Sequence, residues 1–519
     1  MKQIKTVKKL VQLPIISVVN RCGSQNTPWP KCSPMRYNMN NSNIYELFQS
    51  RFPTDTKAVF LEHEQGNLLY SQIGNETGQL AGLLKQLNVK KGDRVIVQVE
   101  KSAEAVLLYL ACLRVGAIFI PLNTAYTAQE VRYFMGDANP HLIVCSPQDY
   151  ETISESAKEL NVPHVMTLGN KGNGSLMEAK STAPIDSVTE QCTSGDVACI
   201  LYTSGTTGRP KGAMLSHDNL SSNASILHSY WHWEKGDVLL HALPIFHVHG
   251  LFVALHCALL NGSKVIFLSK FSLPAIKENL PHSTVMMGVP TFYVRLLEDP
   301  EFTTDMCKNM RLFIAGSAPL LAETFKAFEN ISGHKILERY GMTEAGMITS
   351  NPYDGDRVPS TVGYALPETS ARVADDKGCE IPRGEVGILE IKGPNIFQGY
   401  WCMPEKTAEE FRDDGFFITG DMATMDNDGR ISIVGRAKDL VISGGYNVYP
   451  KEVENVIDEM EGVKESAVIG VPHPDFGEGV TAIIIKEQHS DITEDGIIEF
   501  LKEKIARFKQ PNKYFFLDE

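Results

Sequence analysis

The sequence predicts an α/β protein with a large N-terminal domain of packed β-sheets and helices and a smaller C-terminal α+β domain. The chain has 519 residues, which is more than a single hydrophobic core usually contains. From Glu46 to Gly435, short apolar runs alternate with amphipathic stretches, as in proteins that layer helices on sheets. From Arg436 onward the pattern is that of a small mixed domain. We therefore expect domains at 46–435 and 436–519, after a basic extension at 1–45.

Individual elements follow from local patterns. Arg94–Glu100 and Ala117–Pro121 have the composition of buried strands, and Ala103–Val115 has that of a helix between them. Val197–Tyr202 predicts another buried strand, and the polar stretch 170–194 before it predicts a connection. The C-terminal domain is predicted to contain a helix, two strands and a second helix, at Pro450–Met460, Ser466–Val471, Val480–Lys486 and Ile492–Phe508.

Charge and composition exclude several classes of protein. The formal net charge of −14 opposes nonspecific binding to nucleic acid, so no such partner is expected, and anionic substrates need local positive groups. The apolar run Ala105–Leu113 stops at Arg114, well short of the roughly 18 residues that a transmembrane helix needs. The ten cysteines include no Cys-x-x-Cys pair, which favours reduced buried thiols over a zinc site or a disulfide framework.

The first 45 residues are basic. They contain seven lysines and arginines and no acidic residue before Glu46, with apolar residues among the early lysines. This composition resembles a mitochondrial transit peptide and predicts a mitochondrial protein. The alternative is a basic extension that carries no address, which would leave a cytoplasmic protein.

A loop rich in glycine and hydroxyl groups follows the predicted strand Val197–Tyr202. Its sequence is Thr-Ser-Gly-Thr-Thr-Gly-Arg-Pro-Lys-Gly, from Thr203 to Gly212. Glycines let backbone N–H groups surround an anion, hydroxyls add hydrogen bonds, and Lys211 adds positive charge. The alternative is a solvated turn. The predicted phosphate-binding residues are Thr203, Ser204, Gly205, Thr206, Thr207, Gly208 and Lys211.

The spacing of this loop differs from the nucleoside triphosphatase loop, in which Lys directly follows the last Gly. It resembles the signature loop of the adenylate-forming enzymes, the superfamily of acyl-CoA synthetases, luciferases and peptide-synthetase adenylation domains. The resemblance implies a large adenylate-forming domain, a smaller mobile domain, ATP and Mg²⁺ as cofactors, and CoA as a cosubstrate. It also implies a carboxylic acid as the small-molecule substrate.

Two further motifs carry the resemblance. The turn Gly316-Ser317-Ala318 follows a strand and offers backbone against which a flat adenine can lie. The segment Glu338 to Glu344 matches a family motif in which Tyr packs on adenine, Thr binds the α-phosphate and Glu binds magnesium. The resemblance therefore implies nucleotide contacts or catalytic roles for Glu338, Arg339, Tyr340, Gly341, Met342, Thr343 and Glu344.

The resemblance extends to the region between the two predicted domains. It implies that Asp421 binds the ribose hydroxyls, that Arg436 reaches the ribose and phosphate, and that Lys438 is the hinge of the small domain. The residues Ser443, Gly444 and Gly445 would face the pantetheine of CoA. In the segment Leu243–Gly250, His247 matches the family's gating histidine beside the reacting carboxylate, whereas a hydrogen-bonded core histidine is the alternative.

The acid is predicted from the segments that line the acyl pocket in relatives. These segments are Leu243–Gly250 and Met287–Arg295. The runs 241–252, 288–295 and 351–357 are closely similar to malonyl-CoA synthetases, in which an arginine at the Arg295 position holds the distal carboxylate of malonate. A buried second carboxylate needs such a donor. We therefore expect a malonate:CoA ligase, with methylmalonate as a second substrate. The alternatives are a medium- or long-chain fatty acyl-CoA synthetase, a peptide-synthetase adenylation module, and a nucleotide-binding variant.

One family element is absent from the sequence. Relatives carry a Pro-Arg-x-x-x-Gly-Lys element after the segment that matches Arg507–Lys513, and its lysine bridges the carboxylate and the α-phosphate. The sequence ends at Glu519, before that element. We therefore expect a C-terminal domain that is incomplete at its end and, for a chain of this length, adenylation weakened by about 10²–10³-fold.

Overall fold

Two mainly parallel β-sheets form the centre of the N-terminal domain. The computed structural model describes residues 41–203, 210–443, 446–473, 477–502, 504–505 and 507–517. Within these residues the two sheets are built from β1 (Val59–His63), β2 (Gly66–Leu69), β3 (Arg94–Gln98), β4 (Ile118–Pro121), β5 (Leu142–Cys145), β6 (His164–Thr167), β7 (Val197–Thr203), β8 (Lys211–Ser216), β9 (Val238–His241), β10 (Lys264–Phe267), β11 (Val285–Gly288), β12 (Leu312–Ala315), β13 (Leu337–Met342), β14 (Gly346–Ser350) and β15 (Tyr364–Ala365).

The order of these strands places several motifs at sheet ends. In the described residues, the nine-stranded sheet has the order β15-β14-β13-β12-β11-β9-β10-β1-β2, and the six-stranded sheet has the order β6-β5-β3-β4-β7-β8. Strands β9 to β13 and β1 pair in parallel, and β13, β14 and β15 pair antiparallel. Because β12 and β13 are parallel neighbours, the turns that follow them meet at one edge of the sheet.

Helices cover both sheets and fill the space between them. In the described part of the chain they are α1 (Ile44–Gln49), α2 (Tyr70–Gln86), α3 (Ala103–Arg114), α4 (Ala128–Ala138), α5 (Tyr150–Glu159), α6 (Ser175–Thr182), α7 (His217–Tyr230), α8 (His256–Asn261), α9 (Leu273–Asn279), α10 (Pro290–Leu297), α11 (Ala322–Ser332), α12 (Pro404–Glu409), α13 (Pro450–Ile457) and α14 (Glu494–Lys502). Every residue of α3 except Glu104 is buried, which fits its apolar sequence. A π-helix, His249–Leu255, leads directly into α8.

A four-stranded antiparallel sheet follows the nine-stranded sheet along the chain. It consists of β16 (Ser370–Ala374), β17 (Gly387–Lys392), β18 (Phe417–Met425) and β19 (Ile431–Arg436). The carboxylate of Glu390 is fully buried, and it accepts hydrogen bonds from Arg372 Nε at 2.9 Å and Arg412 Nε at 2.7 Å. This pairing satisfies a buried charge from two sides. The sheet places Asp421 directly opposite Arg436.

The C-terminal domain is a sheet with helices on one face. Its described strands are β20 (Val441–Ser443), β21 (Tyr446–Val448), β22 (Val463–His473), β23 (Gly477–Lys486) and β24 (Lys513–Leu517). Buried residues of α13 and α14, including Val453 and Leu501, share a core with sheet residues such as Val468, Ala482 and Ile484. This α+β arrangement confirms the predicted fold class.

The structure differs from the predicted elements in three places. The second C-terminal helix ends at Lys502 rather than Phe508, because the Lys504 N–H bonds to the Leu501 carbonyl in a tighter turn. The stretch 170–194 contains the short helix α6, which buries only Leu176 and Lys180 and so has little apolar signal. Residues 41–45, assigned by sequence to the extension, are packed here, with Asn41 and Asn43 buried.

Two further sequence expectations concern thiols and membranes. Eight cysteines lie within the described residues, and all are free thiols, six of them buried. Among the described residues, none of the helices combines the length and apolar composition that crossing a membrane requires.

Glycines on one face of α2 allow a second segment to cross the helix closely. A Cβ atom at Gly82 would lie 1.9 Å from the Pro184 carbonyl oxygen, whereas one at Gly74 would meet nothing within 4 Å. We expect Gly82→Ala to lower the free energy of unfolding by about 1–3 kcal/mol, because the helix and the segment must separate.

The matched control is Gly74→Ala in the same helix, which should be neutral or stabilising by about 0.5–1 kcal/mol. Urea denaturation followed by circular dichroism measures both variants. Equal effects of the two substitutions would contradict the close packing at Gly82.

Candidate active site

A cleft of about 760 Å³ lies between the end of the nine-stranded sheet, the four-stranded sheet and the C-terminal domain. Helix α13 and strand β22 of the C-terminal domain form its far wall. The cleft brings together nine residues that the sequence predicts for the site from widely separated segments, namely Ser317, Ala318, Glu338, Arg339, Tyr340, Gly341, Asp421, Arg436 and Lys438.

Asp421 lies on β18 at the floor of the cleft and is held from three sides. Its carboxylate accepts a hydrogen bond from the Tyr340 hydroxyl, and Arg436 Nε lies 3.1 Å from its Oδ1 atom. Its backbone N–H donates to Thr419 Oγ1 at 3.1 Å. Burial raises the pKa of Asp421, while Tyr340 and Arg436 act in the opposite direction. Lys438 is exposed, in a 3₁₀ turn that directly follows β19.

Arg339 is buried against the turn that follows β12. Its side chain passes so close to Gly316 that a Cβ atom there would lie 2.5 Å from the guanidinium carbon. Its Nε and Nη2 atoms are buried without a hydrogen-bond partner among the described residues. Burial lowers the pKa of Arg339 to about 9. The structure therefore contains a donor-rich group that lacks an acceptor.

Glu338, beside Arg339 in β13, does not neutralise it. Its Oε1 atom accepts a hydrogen bond from the Leu320 N–H at 3.3 Å, and its Oε2 atom is buried without a partner in the described part of the chain. Burial raises the pKa of Glu338 to about 8. At pH 7 the side chain is therefore mostly protonated and uncharged.

Two histidines of the segment Leu243–Gly250 have different surroundings. His247 is exposed, packs on the ring of Phe246 with centroids 4.6 Å apart, and has a pKa lowered by partial desolvation. His249 is buried, with Nδ1 3.3 Å from the Ser317 hydroxyl, and its Nε2 atom has no partner among the described residues. Sequence reasoning missed His249, although it lies two residues beyond His247.

Lys211, at the start of β8, and Glu344, in the turn between β13 and β14, belong to a second polar group. Lys211 Nζ lies 3.4 Å from Glu410 Oε1 and 4.2 Å from the centre of the Tyr400 ring. The Tyr400 hydroxyl donates to Glu344 Oε1 at 3.0 Å, and burial raises the pKa of Glu344. Two carboxylates therefore flank one lysine, and Glu410 is a neighbour that the sequence did not indicate.

The remaining predicted residues lie in several places. Thr203 ends β7, Met342 ends β13, Thr343 begins the turn after it, and Ser443 ends β20. Arg295 is exposed on α10, with its guanidinium carbon 5.7 Å from the centre of the Phe271 ring, and it does not line the cleft. The described residues do not include Ser204, Gly205, Thr206, Thr207, Gly208, Gly444 and Gly445.

Comparison with protein families identifies the class to which this architecture belongs. The model of the AMP-binding enzymes matches residues 46–401, and the model of the AMP-binding enzyme C-terminal domain matches residues 452–519. The chain therefore belongs to the AMP-binding enzyme family.

Several individual proteins resemble the chain over most of its length. Malonate–CoA ligase from Arabidopsis thaliana is 35% identical, covering 82% of this chain and 74% of the plant protein. Mitochondrial malonate–CoA ligase from Mus musculus is 33% identical, covering 78% of this chain and 75% of the mouse protein. Feruloyl-CoA synthase from an Amycolatopsis species is also 33% identical, covering 89% of this chain and 92% of that enzyme.

A solved structure is more similar than these relatives. ATP-bound MatB from Rhodopseudomonas palustris is 51% identical, has a TM-score of 0.90, and covers 92% of this chain and 95% of the MatB chain. The apo structure of MatB, with the same identity and coverage, has a TM-score of 0.83. The arrangement of this chain is therefore nearer to that of the ATP-bound structure.

The buried Glu338 carboxyl predicts a pH-dependent stability. Its pKa of about 8 exceeds the ordinary value of 4.5, so between these pH values the folded chain keeps a proton that the unfolded chain releases. The stabilising contribution of the protonated Glu338 carboxyl to the free energy of unfolding is greatest below pH 4.5 and is lost as the pH rises to 8 and above. Glu338→Gln mimics the protonated form and lacks this dependence.

We therefore expect Glu338→Gln to gain stability over the unsubstituted chain as the pH rises from 5 to 8, by about 1–3 kcal/mol in total. Thermal unfolding of both proteins at several pH values measures the difference. A difference that is constant across this range would contradict the raised pKa.

Proposed function

We propose that the chain is an ATP-dependent acid:thiol ligase that activates malonate as malonyl-adenylate and transfers the malonyl group to CoA. The products are malonyl-CoA, AMP and pyrophosphate. Methylmalonate is a second candidate substrate, because one extra methyl group changes binding by only about 1–3 kcal/mol. The named malonate–CoA ligases among the relatives support this proposal. A feruloyl-CoA synthase is also similar to the chain, so overall similarity does not decide which acid is the substrate. The groups that line the site must decide it.

The observation that carries the choice of acid is that Nε and Nη2 of the Arg339 guanidinium are buried and have no hydrogen-bond partner within the described residues. A buried cation without an anion is unfavourable, and a hydrogen-bonded carboxylate is its best partner. A dicarboxylic acid brings a second carboxylate, whereas acetate or a fatty acid brings only the reacting one. The unpaired Nε2 atom of His249 lies in the same corner, beside Ser317. We propose that Arg339, with His249, holds the distal carboxylate of malonate.

Arg295 remains the residue that the resemblance assigns to the distal carboxylate. Its exposed position on α10, 5.7 Å from the Phe271 ring, supports contact with the substrate only at the rim of the site. Substitutions of the two arginines are therefore expected to differ in effect. Loss of the buried Arg339 should lower malonate turnover more than loss of the exposed Arg295.

The nucleotide roles follow the geometry of the cleft. We propose that adenine lies between the backbone of Gly316–Ala318 and the ring of Tyr340, and that Asp421 and Arg436 bind the ribose. A carboxylate oxygen of the acid attacks the α-phosphorus and pyrophosphate leaves. The CoA thiol then gives its proton to water, its sulfur attacks the carbonyl carbon, and AMP leaves. The chain's part is positioning and charge neutralisation, with His247 beside the reacting carboxylate.

Lys211, Thr343 and Glu344 are proposed to act at the phosphates. Glu410 is paired with Lys406 at 3.1 Å as well as with Lys211, whereas Glu344 accepts its hydrogen bond from the Tyr400 hydroxyl, and carboxylate oxygens are the hard ligands that Mg²⁺ prefers. The residues present therefore fit Mg²⁺, with Glu344 as its protein ligand. When bound, the ion supplies positive charge to the phosphate oxygens. Lys211 contributes a second positive charge from the start of β8.

Two further proposals concern organisation and location. We place the division between the domains at residues 435 and 436, with Lys438 as the hinge and Ser443–Gly445 facing the pantetheine of CoA. The exposed turn at Lys438, between two sheets, supports that hinge. The basic segment 1–45 and the mitochondrial mouse relative support a mitochondrial location, and a cytoplasmic one is the alternative.

The substrate and the arginines are tested together. We expect thioester formation from malonate to exceed that from acetate and octanoate, with methylmalonate next. Arg339→Gln should lower kcat/KM for malonate by about 10²-fold or more, because it removes a buried charge-assisted pair. A coupled assay of AMP release, with each acid in turn, measures these values.

Arg295→Ala is the matched comparison, and binding of ATP to both variants is the control for folding. A preference for octanoate would contradict malonate as the substrate. A loss of malonate turnover in Arg295→Ala with full turnover in Arg339→Gln would contradict the role of Arg339. It would instead indicate that Arg295 binds the distal carboxylate of malonate.

A further inference from the structure

Thr343 and Glu344 lie at the tip of the hairpin that β13 and β14 form. Strand pairing sets Met342 opposite Gly346, and the Ala345 N–H donates to the Met342 carbonyl at 3.2 Å. Turns are in general more mobile than the strands they connect. The position of the Glu344 side chain therefore depends on what holds this turn from outside the hairpin.

Two buried asparagines from different elements bind the backbone of the turn. Asn223, on α7, accepts from the Met347 N–H at 3.0 Å and donates to the Met347 carbonyl at 2.8 Å. Asn395, after β17, donates to the Ala345 carbonyl at 2.7 Å and to the Met347 carbonyl at 3.2 Å. Buried hydrogen bonds are costly to leave unmade, so this pair of amides holds the turn firmly.

The backbone segment 395–401 joins the turn to β8, at whose start Lys211 lies. The Phe397 N–H donates to the Glu344 carbonyl at 2.8 Å. Backbone hydrogen bonds of 2.7 to 3.0 Å join residues 398–401 to β8. The segment therefore connects the strand of the phosphate-site lysine to the turn of the phosphate-site carboxylate.

Helix α7 holds this segment on both sides of Asn395. The amide of Asn219, also on α7, donates to the carbonyls of Pro394 and Ile396 at 2.8 Å each. Asn219 and Asn223 are four residues apart and so lie on one face of the helix. Because α7 directly follows β8, the helix fixes the segment and the hairpin turn relative to that strand.

We propose that Asn223 and Asn395 are positioning residues that hold Thr343 and Glu344 toward the nucleotide phosphates. The inference rests on the proposed role of Glu344 as the Mg²⁺ ligand and deepens it. Neither asparagine lines the cleft of about 760 Å³, so each acts through the backbone of the turn. Loss of groups that orient a metal's ligands commonly lowers metal affinity by about 10–100-fold.

Binding of α,β-methylene-ATP to the full chain tests the proposal without turnover, because this analogue cannot be adenylated. Calorimetry gives its Kd with saturating Mg²⁺ and with EDTA, and the ratio of the two values is the gain from the metal ion. Asn395→Asp keeps the size and the Oδ1 acceptor of the side chain but removes both N–H donors. We expect it to lower the gain by about tenfold or more, and Asn223→Asp to act in the same direction.

The matched control is Asn43→Asp. Asn43 is buried at the start of α1, and its amide donates to the Leu113 carbonyl at 2.7 Å and the Glu190 carbonyl at 3.2 Å. The substitution therefore removes two comparable donors from carbonyls outside the hairpin. Thermal unfolding should show a loss of stability in both Asn43→Asp and Asn395→Asp, whereas the gain from Mg²⁺ should fall only in Asn395→Asp.

Glu344→Gln separates this inference from the role of the carboxylate. A gain that falls in Glu344→Gln but stays unchanged in Asn223→Asp and Asn395→Asp would contradict positioning by the asparagines and leave the role of Glu344 in place. An unchanged gain in Glu344→Gln would overturn that role and this inference together. Asn223→Asp decides the question if Asn395→Asp does not fold.

Discussion

One buried charge determines how the acyl end of the cleft is built. The guanidinium group of Arg339 lies against the backbone of Gly316, where no side chain fits, and it has no carboxylate partner in the described residues. Glu338 beside it is held mostly protonated, so it leaves the positive charge in place. A protein can keep such a group only when the rest of the fold is stable enough to bear its cost. The missing anion is the distal carboxylate that we assign to the substrate.

The rest of the site depends on where strands end. Parallel pairing of β12 and β13 brings the Gly316 turn beside Tyr340, and antiparallel pairing of β18 and β19 sets Asp421 opposite Arg436. The Tyr340 hydroxyl then joins the two sheets through its hydrogen bond to Asp421. Groups from distant segments are thereby fixed by backbone hydrogen bonds rather than by loops. This is the preorganisation that a reaction controlled by positioning requires.

Much of the fold and several of the site residues could be predicted from the sequence. The partners and the exposure of other site residues could not, because they depend on how the chain packs. Helix α3 and strand β7 were predictable because their apolar runs reflect burial directly, whereas α6 buries too little to be seen. The family resemblance predicted Tyr340, Asp421 and Arg436 as site residues, and the structure brings all three into one cleft. Within the described residues, the unpartnered nitrogens of Arg339 and His249 depend on which groups the fold brings near them, and no local pattern records that. The exposure of Arg295 is likewise a property of packing.

The most direct measurement follows an oxygen atom from the acid. Malonate labelled with ¹⁸O in its carboxylates is converted with ATP, Mg²⁺ and CoA, and the nucleotide product is analysed by mass spectrometry. Attack of the carboxylate on the α-phosphorus predicts that AMP gains one ¹⁸O and pyrophosphate gains none, because the attacking oxygen stays on phosphorus when the thiol displaces AMP. Release of ADP with ¹⁸O in inorganic phosphate would contradict adenylation, since it requires attack at the γ-phosphorus.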